Sequence, residues 1–327
     1  MSDGHVIERP ALSQVQALRR AMGAAVVDGF FFALARGFSL HPLAQPALHG
    51  LSVERDIPYR EGGHPLHQLD VWRPKNAKGP LPVAIYIHGG GFRFLSKDTH
   101  WIFALIFARR GYLVFNLDYR LAPGNPFPAA VEDVCAAYQW VVQNAHRWGG
   151  DPERMVVAGE SAGANLSTVL ALSAVDKRPE PFARKVYDTG IVPRAVVPAC
   201  GIHHVSEPER RGLKSRFLYD RVAEVTDAYL GGVTLSHPRS LELADPVVTL
   251  ENASGFERPL PAFYVPCGTW DIMLPDNQRL VAALSRHGAT VASHWFEREM
   301  HAFHGLAVTP AALQCWRETF DFLAQHV

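Results

Sequence analysis

Short apolar runs alternate along this chain with longer segments of helical period. The runs 83–87 and 155–158 are apolar without a break, which is typical of strands buried on both faces of a parallel sheet. The segment 128–148 instead spaces its apolar residues along one face of a helix. Because strands and helices follow one another over about 250 residues, the pattern predicts an α/β fold with a mostly parallel sheet and helices on both faces.

The same pattern predicts the remaining elements. Strands are expected at 51–59, 66–72, 112–117, 195–198, 262–265 and 291–296, with a hairpin turn at 61–64. Helices are expected at 99–110, 217–230, 276–286 and 310–325, and a further helix after residue 163. Asp276 stands at the start of its predicted helix, where we interpret it as the N-terminal cap.

Two stretches depart from this alternation. Residues 206–232 carry charged turns and then a helical stretch, at a place where a crossover between core strands would be shorter. Near the N terminus, Arg19 and Arg20 precede an apolar run that resembles a signal peptide, but Asp28 interrupts the run. The run is also too short and too charged to span a bilayer. We interpret it as an amphipathic helix that covers an apolar pocket of the same chain, with peripheral membrane contact as the alternative.

These departures predict a division into a core and a cap. The core comprises residues 49–202 and 241–327, whereas residues 1–48 form an N-terminal helical cap segment and residues 203–240 form a cap insertion. Both cap segments are expected to lie over the carboxyl ends of the strands, where loops of an α/β sheet carry function.

Charge and cysteine content narrow the classes of function. Lys and Arg number 32, as do Asp and Glu, and no basic run occurs, so a nucleic acid or an anionic membrane has no electrostatic basis as a partner. The four cysteines show neither metal-binding nor redox spacing. We therefore expect reduced core cysteines in a cytoplasmic protein that has no integral membrane segment.

Ser161 is the first residue whose surroundings indicate chemistry. The apolar run 155–158 ends in GESAG at 159–163 and continues as a helical pattern. A strand, Gly-x-Ser-x-Gly and a helix in this order are typical of a nucleophile elbow, in which the glycines give room for a tight turn and the serine is exposed. Outside that context, the motif would be equally typical of an ordinary glycine-rich turn.

A serine nucleophile also requires oxyanion donors, a base and an orienting carboxylate. The strand 83–87 leads into HGGGF at 88–92, and a His-Gly-Gly-Gly sequence supplies one half of the oxyanion hole in lipases and esterases. The strand 262–265 leads to Asp271, from where a loop carboxylate could reach the base. The strand 291–296 leads to His301, a candidate for the base. The chain order Ser161, Asp271, His301 is the order of the α/β-hydrolases.

Three motifs together carry a family resemblance. They are HGGGF at 88–92, DYRLAP at 118–123 followed by PFPAAVED at 126–133, and GESAGAN at 159–165. Over roughly residues 50–325, the chain resembles the hormone-sensitive-lipase-like (bacterial family IV) branch of the α/β-hydrolase esterases. The resemblance implies the α/β-hydrolase fold with a helical cap, and a serine carboxylesterase that hydrolyses short- to medium-chain acyl esters through an acyl-enzyme, without a cofactor.

The resemblance also implies roles for individual residues. The backbone N–H groups of Gly90, Gly91 and Ala162 would form the oxyanion hole, and His88 would brace the glycine loop rather than take part in catalysis. Small-molecule esters would be the partners. Similar esterases often form dimers, so the resemblance leaves room for a homodimer, although no residue pattern identifies an interface.

The acid and base regions depart from the family pattern. The family usually has Asp-Pro-Leu-x-Asp with the first aspartate catalytic, whereas Asp271 and Asp276 are one residue further apart and the early proline is missing. The usual Met-x-His-Gly-Phe is divided between His301, which has a phenylalanine two residues later, and His304, which is followed by glycine. We predict Asp271 as the orienting carboxylate and His301 as the base, with His304 as a pocket residue or a neighbour of the base.

The sequence indicates the residues of the pocket less clearly than the catalytic residues. Phe92, Phe94 and His304 are predicted to line the substrate pocket, with ordinary core packing as the alternative for the aromatic residues. His203 and His204 could line its rim, but they lack a carboxylate or cysteine at metal-ligand spacing, and we predict no metal site. An amidase or formamidase with the same triad, and a non-catalytic ligand receptor on this scaffold, remain alternative functions.

Overall fold

An eight-stranded sheet lies at the centre of the computed structural model, which describes residues 5–6, 13–39, 44–231, 234–235 and 238–327. The strands are β1 (His5–Val6), β2 (Leu51–Pro58), β3 (Gln68–Pro74), β4 (Leu81–Ile87), β5 (Leu113–Leu117), β6 (Gly150–Glu160), β7 (Ala195–Ala199), β8 (Thr234–Leu235), β9 (Ala262–Gly268) and β10 (Val291–Phe296). The order in the large sheet is β2-β3-β5-β4-β6-β7-β9-β10; β3 is antiparallel to both β2 and β5, and all other pairs are parallel. The predicted mostly parallel sheet is confirmed.

Helices cover both faces of this sheet. The α-helices of the described residues are α1 (Gln14–Ser39), α2 (Trp101–Arg109), α3 (Ala129–Asn144), α4 (Ala162–Val175), α5 (Pro181–Asp188), α6 (Arg216–Leu230), α7 (Pro246–Asn252), α8 (Leu274–Arg286) and α9 (Pro310–His326). The sequence did not predict α5 and α7, because helices of eight and seven residues are too short to establish a clear period. The predicted helix at 128–148 ends as α3 at Asn144 and continues as a 3₁₀ turn.

The unbroken apolar run of β4 is explained by the two layers of helices. Val83, Ile85 and Ile87 pack into the core beneath α3 and α4. The alternate residues Ala84 and Tyr86 pack on the opposite face, against α2 and α9. Because successive side chains of a strand point to opposite faces, a strand that is covered on both sides needs apolar residues at every position.

Four loops that carry candidate residues meet at one edge of the sheet. Strands β4, β6, β9 and β10 are all parallel, so their carboxyl ends lie on the same side. The glycine loop follows β4, Ser161 follows β6, Asp271 lies three residues after β9, and His301 lies five residues after β10. This topology brings together residues that are separated by more than 200 positions in the chain.

The N-terminal helix α1 is attached to α6 by partly buried ion pairs. Arg19 donates two hydrogen bonds to the carboxylate of Asp220, and Arg20 donates to Asp227 at 2.6 Å. The short sheet of β1 and β8 joins the same two regions. Residues 1–4, 7–12, 40–43, 232–233 and 236–237 of the predicted cap segments lie outside the described residues. Among the described helices, none is long and apolar enough to cross a membrane.

The prediction that Asp276 caps its helix is wrong. Helix α8 begins two residues earlier, with Met273 at the capping position, and Asp276 is buried in the first turn. Its carboxylate accepts hydrogen bonds from the backbone N–H groups of His203 and His204 and pairs with the guanidinium groups of Arg210 and Arg211. Asp276 therefore attaches the segment after β7 to the core, a long-range role that the local sequence did not indicate.

Candidate active site

Ser161 occupies a sharp turn between β6 and α4. Its φ of 55° and ψ of −114° lie in a region that a residue with a side chain rarely adopts. The flanking glycines explain why the turn can form: a Cβ on Gly159 would lie 2.6 Å from the carbonyl oxygen of Ile87, and a Cβ on Gly163 would overlap the same oxygen. Strand β4 therefore packs directly against the backbone of the turn, and only glycine fits at these two positions.

Ser161, His301 and Asp271 form one continuous hydrogen-bonded chain. The Nε2 atom of His301 lies 3.0 Å from Oγ of Ser161, and Nδ1 lies 2.8 Å from Oδ2 of Asp271. Asp271 is buried, and its other oxygen accepts a hydrogen bond from the backbone N–H of Met273 at 2.8 Å. With Nδ1–H held by the carboxylate, Nε2 is the nitrogen that is left to accept a proton from the serine hydroxyl.

The electrostatic surroundings keep His301 suited to act as a base. Burial lowers the pKa of His301, but the charge of Asp271, its hydrogen bond to the ring and the charge of Glu160 all raise it. The pKa of His301 consequently lies above the ordinary value for histidine. A higher pKa makes the ring a stronger acceptor for the serine proton.

The glycine loop presents backbone N–H groups beside Ser161. Gly90 and Gly91 have φ values of 99° and 56°, and both line the same cavity as Ser161. Ala162 is the first residue of α4, where N–H groups have no partner within the helix. Within the described residues, no acceptor takes a hydrogen bond from the N–H of Gly90, Gly91 or Ala162. The family resemblance implied these three groups as oxyanion donors, and that role stays a prediction.

Buried polar contacts hold this loop from behind. His88 Nδ1 lies 2.7 Å from the carbonyl oxygen of Gly89, and its ring stacks on Tyr119 with centroids 4.3 Å apart. Burial lowers the pKa of His88 to about 3, so the ring is neutral. Glu160 accepts a hydrogen bond from the N–H of Gly89 at 2.7 Å. Glu160 was not among the residues predicted from the sequence. The one indication of its role there is that an acidic residue ends a buried strand.

An open cavity of about 560 Å³ contains Ser161 and His301. Helix α1 contributes Val27 and Phe30 to its wall, and α6 contributes Val222 and Val225. The remaining wall is largely apolar and includes Phe94, Leu95, Trp101, Ile102, Phe103, Trp270, Ile272, Met273, Met300 and Leu306. Phe94 therefore lies where the sequence predicted a pocket residue.

Phe92 and His304 do not line this cavity. Phe92 has a positive φ of 60°, which turns its fully buried ring into the core, where it stacks on Tyr229 at 3.8 Å. His304 is buried between Phe103 and Trp316, and burial lowers its pKa to about 4. The pocket prediction is thus wrong for Phe92, and His304 lies behind the wall rather than in it.

Of the other histidines, His100 lines the cavity, and within the described residues no cysteine does. His203 and His204 are buried away from its wall, contrary to the suggestion that they line the rim. All four cysteines are buried and free. Within the described chain, the one cluster of side chains that could hold a metal ion is formed by Cys200, Asp271 and His301. In this cluster Asp271 and His301 are already hydrogen-bonded to each other.

Comparisons with known proteins agree with this geometry. The family model for the alpha/beta hydrolase fold matches residues 84–305. Carboxylesterase NlhH of Mycobacterium tuberculosis is 46% identical over 107 residues, which cover 32% of this chain and 34% of that protein. Esterase LipI of the same organism is 29% identical over 244 residues, with 71% of this chain and 69% of LipI covered. The crystal structure of esterase LipW from Mycobacterium marinum has 25% identity and a TM-score of 0.73, and 96% of each chain is covered.

These matches have different extents. The alignment with NlhH spans about a third of that protein and is confined to a short part of this chain, whereas LipW corresponds to nearly the whole chain. The family model covers more than half of the chain and includes both the glycine loop and the serine elbow. The resemblance that the three motifs indicated is confirmed. The chain belongs to the family of the alpha/beta hydrolase fold, and the proteins that it resembles include esterases.

Proposed function

We propose that this chain is a serine carboxylesterase that hydrolyses short- to medium-chain acyl esters through an acyl-enzyme on Ser161. The observation that carries the proposal is the hydrogen-bonded chain from Ser161 through His301 to Asp271 at the wall of an apolar cavity. Membership of the alpha/beta hydrolase fold family and the similarity to esterase LipI support the same reaction class.

In the proposed mechanism, His301 Nε2 removes the proton of Ser161 as its Oγ attacks the ester carbonyl carbon. The negative charge that develops on the carbonyl oxygen is stabilised by the N–H groups of Gly90, Gly91 and Ala162. His301 then donates its proton to the alcohol as the bond between the carbonyl carbon and the alcohol oxygen breaks. Water, deprotonated by His301, then attacks the acyl carbon. The bond from this carbon to Ser161 Oγ breaks, His301 returns the proton to Oγ, and the carboxylic acid is released. Asp271 holds the ring orientation and stabilises the imidazolium in both halves.

The proposed substrate class follows from the cavity and its cover. We propose that the segments 1–48 and 203–240 form the cap, since α1 and α6 are joined by ion pairs and both contribute apolar residues to the cavity wall. A bounded apolar cavity favours single hydrophobic ester molecules over aggregated triglyceride. Of the charged side chains in the described wall, Arg93 and Arg221 both pair with Glu224. Glu160 is hydrogen-bonded to His100, and the others are Arg298 and Glu299.

The proposal is tested with an ester series and a serine-directed probe. Nitrophenyl esters from acetate to dodecanoate should be hydrolysed, with kcat/KM highest among the short and medium acyl chains. A fluorophosphonate should attach to Ser161 and abolish this activity. Faster turnover of N-formyl aryl amides than of the matched esters would instead identify an amidase, and absence of both turnover and labelling would identify a non-catalytic receptor.

The pH dependence of the reaction should depend on Asp271. Since the protonated ring cannot accept the serine proton, kcat/KM is expected to fall as the pH decreases through the pKa of His301, which Asp271 holds above about 6.5. Asp271→Asn removes the negative charge but leaves the burial, which lowers the pKa. The acid limb of the residual kcat/KM should therefore move to lower pH. Asp321→Asn, at an exposed position on α9, is the control and should leave the profile unchanged; an unmoved limb in Asp271→Asn would contradict the assignment.

A further inference from the structure

His100 and Glu160 form a buried pair between the cavity and the glycine loop. His100 lies just before α2 and its Nε2 atom is 2.8 Å from Oε1 of Glu160. The same oxygen accepts the N–H of Gly89, and Oε2 accepts the hydroxyl of Tyr86 at 2.9 Å. His100 and Glu160 both reach the cavity wall, but neither is hydrogen-bonded to Ser161. The proposed mechanism uses neither side chain.

We propose that His100 is a positioning residue that acts through Glu160 to hold the oxyanion donors in place. The proposal rests on the esterase function proposed above. The pair fixes one side of the Gly89 residue through its N–H, and His88 and Tyr119 fix the other side through its carbonyl oxygen. Glu160 lies so close that a Cβ on Gly89 would overlap its Oε1 atom.

The geometry of a peptide explains how this reaches the reacting atoms. The carbonyl of Gly89 and the N–H of Gly90 belong to the same planar trans peptide, so they point in opposite directions. With the Gly89 oxygen turned to His88 on the buried side, the Gly90 N–H is directed away from it, toward the cavity. Without the hydrogen bonds to Gly89, this peptide could rotate. The N–H of Gly90 would then move away from the developing oxyanion. Such a donor is needed most in the transition state.

The ring of His100 is held through both of its nitrogens. Its Nδ1 atom lies 3.2 Å from the carbonyl oxygen of Ser96 and 2.9 Å from the hydroxyl oxygen of Thr99. Its Nε2 atom faces the carboxylate of Glu160. These contacts fix the orientation of the ring and keep it against Glu160.

An ionised carboxylate is a better support for the loop than a neutral side chain would be. Hydrogen bonds to an ionised acceptor are shorter and stronger, and burial prevents water from competing for them. Burial raises the pKa of Glu160, but His100, His304 and the hydrogen bond from Tyr86 together bring it below its ordinary value, so the carboxylate stays charged. The pair thus gives the N–H of Gly89 a fixed anionic acceptor, which a neutral side chain would not supply.

The test compares His100→Phe, which removes both ring nitrogens, with His100→Gln, whose side-chain amide can still donate a hydrogen bond to Glu160. His100→Phe should lower kcat by about 10- to 100-fold, less than the loss of a whole oxyanion donor, with KM changed by less than about threefold. His100→Gln should recover most of the loss. The matched control is His294→Phe, since His294 also pairs with a glutamate, Glu318 at 2.8 Å, but lies on β10 outside the cavity. It should retain wild-type kcat.

A trifluoromethyl ketone separates positioning from a merely structural role, because its adduct with Ser161 carries an oxyanion. Its affinity should fall in proportion to kcat/KM in His100→Phe, while the affinity for the corresponding unfluorinated ketone should not change. Unchanged kcat and unchanged fluoroketone affinity, even with a lower Tm, would overturn the proposal. If His100→Phe does not fold, His100→Asn, which is too short to reach Glu160, must show the same selective loss. An inactive wild type that forms no adduct would overturn the esterase proposal itself, and this one with it.

Discussion

Replacing Ser161 by alanine is expected to lower kcat for aryl esters by about 10⁴-fold or more. The reason is that the hydroxyl supplies the attacking atom, and His301 and the oxyanion donors have nothing to activate without it. Ester binding should be retained, because the change removes one atom from a cavity of about 560 Å³ whose walls are untouched. Steady-state kinetics, together with mass spectrometry of the acyl-enzyme after rapid quenching, measures both effects.

Ser173→Ala provides the control for this experiment. Ser173 lies in the same helix α4, at the end away from the elbow, and should retain wild-type kcat. Retention of most esterase activity in Ser161→Ala would contradict the proposed mechanism. So would an acyl adduct on another residue of the wild type.

Replacing His301 by alanine should cause a loss of similar size, about 10⁴-fold or more in kcat, because the serine then has no base. His304→Ala is the informative comparison, since the sequence left both histidines open. His304 is buried beside Phe103 and Trp316 and lies outside the cavity wall. Its removal is expected to lower Tm by several degrees through the space left in the core, with kcat within about tenfold of wild type.

The double variant Ser161→Ala/His301→Ala makes the comparison sharper. Residues that act as one unit give non-additive losses, so the double variant should be about as active as either single variant. A larger loss in His304→Ala than in His301→Ala would show that His304, and not His301, is the base. Additive losses in the double variant would show that Ser161 and His301 do not act on the same proton.

Local sequence was sufficient for most of the elements and for the serine turn. Strand β4 was readable because its apolar run is continuous, and the turn at Ser161 was readable because Gly-x-Ser-x-Gly follows such a run. The glycine loop could be predicted for the same reason, since three glycines after a buried strand have few other uses. The chain order of the candidate triad then followed from the positions of the strands.

The roles of residues that depend on distant partners could not be predicted from the local sequence. Phe92 belongs to a motif beside the site, yet its positive φ turns the ring toward Tyr229 in α6. Asp276 has the spacing of a helix cap, but its carboxylate is taken by arginines about 65 residues earlier in the chain. Glu160 and His100 are 60 residues apart, and neither forms a recognisable pattern with the other in the sequence.

The sequence by itself determined the alternation of strands and helices, the turn that exposes Ser161 and the loop that carries Gly90 and Gly91, because these depend on periodicity and backbone conformation over a few residues. Tertiary structure alone decided that Phe92 stacks on Tyr229 instead of lining the cavity, and that Asp276 pairs with two arginines instead of capping its helix. The physical reason is that hydrogen bonds and packing act over a few ångströms in space. Which residues come that close is set by the topology of the whole sheet.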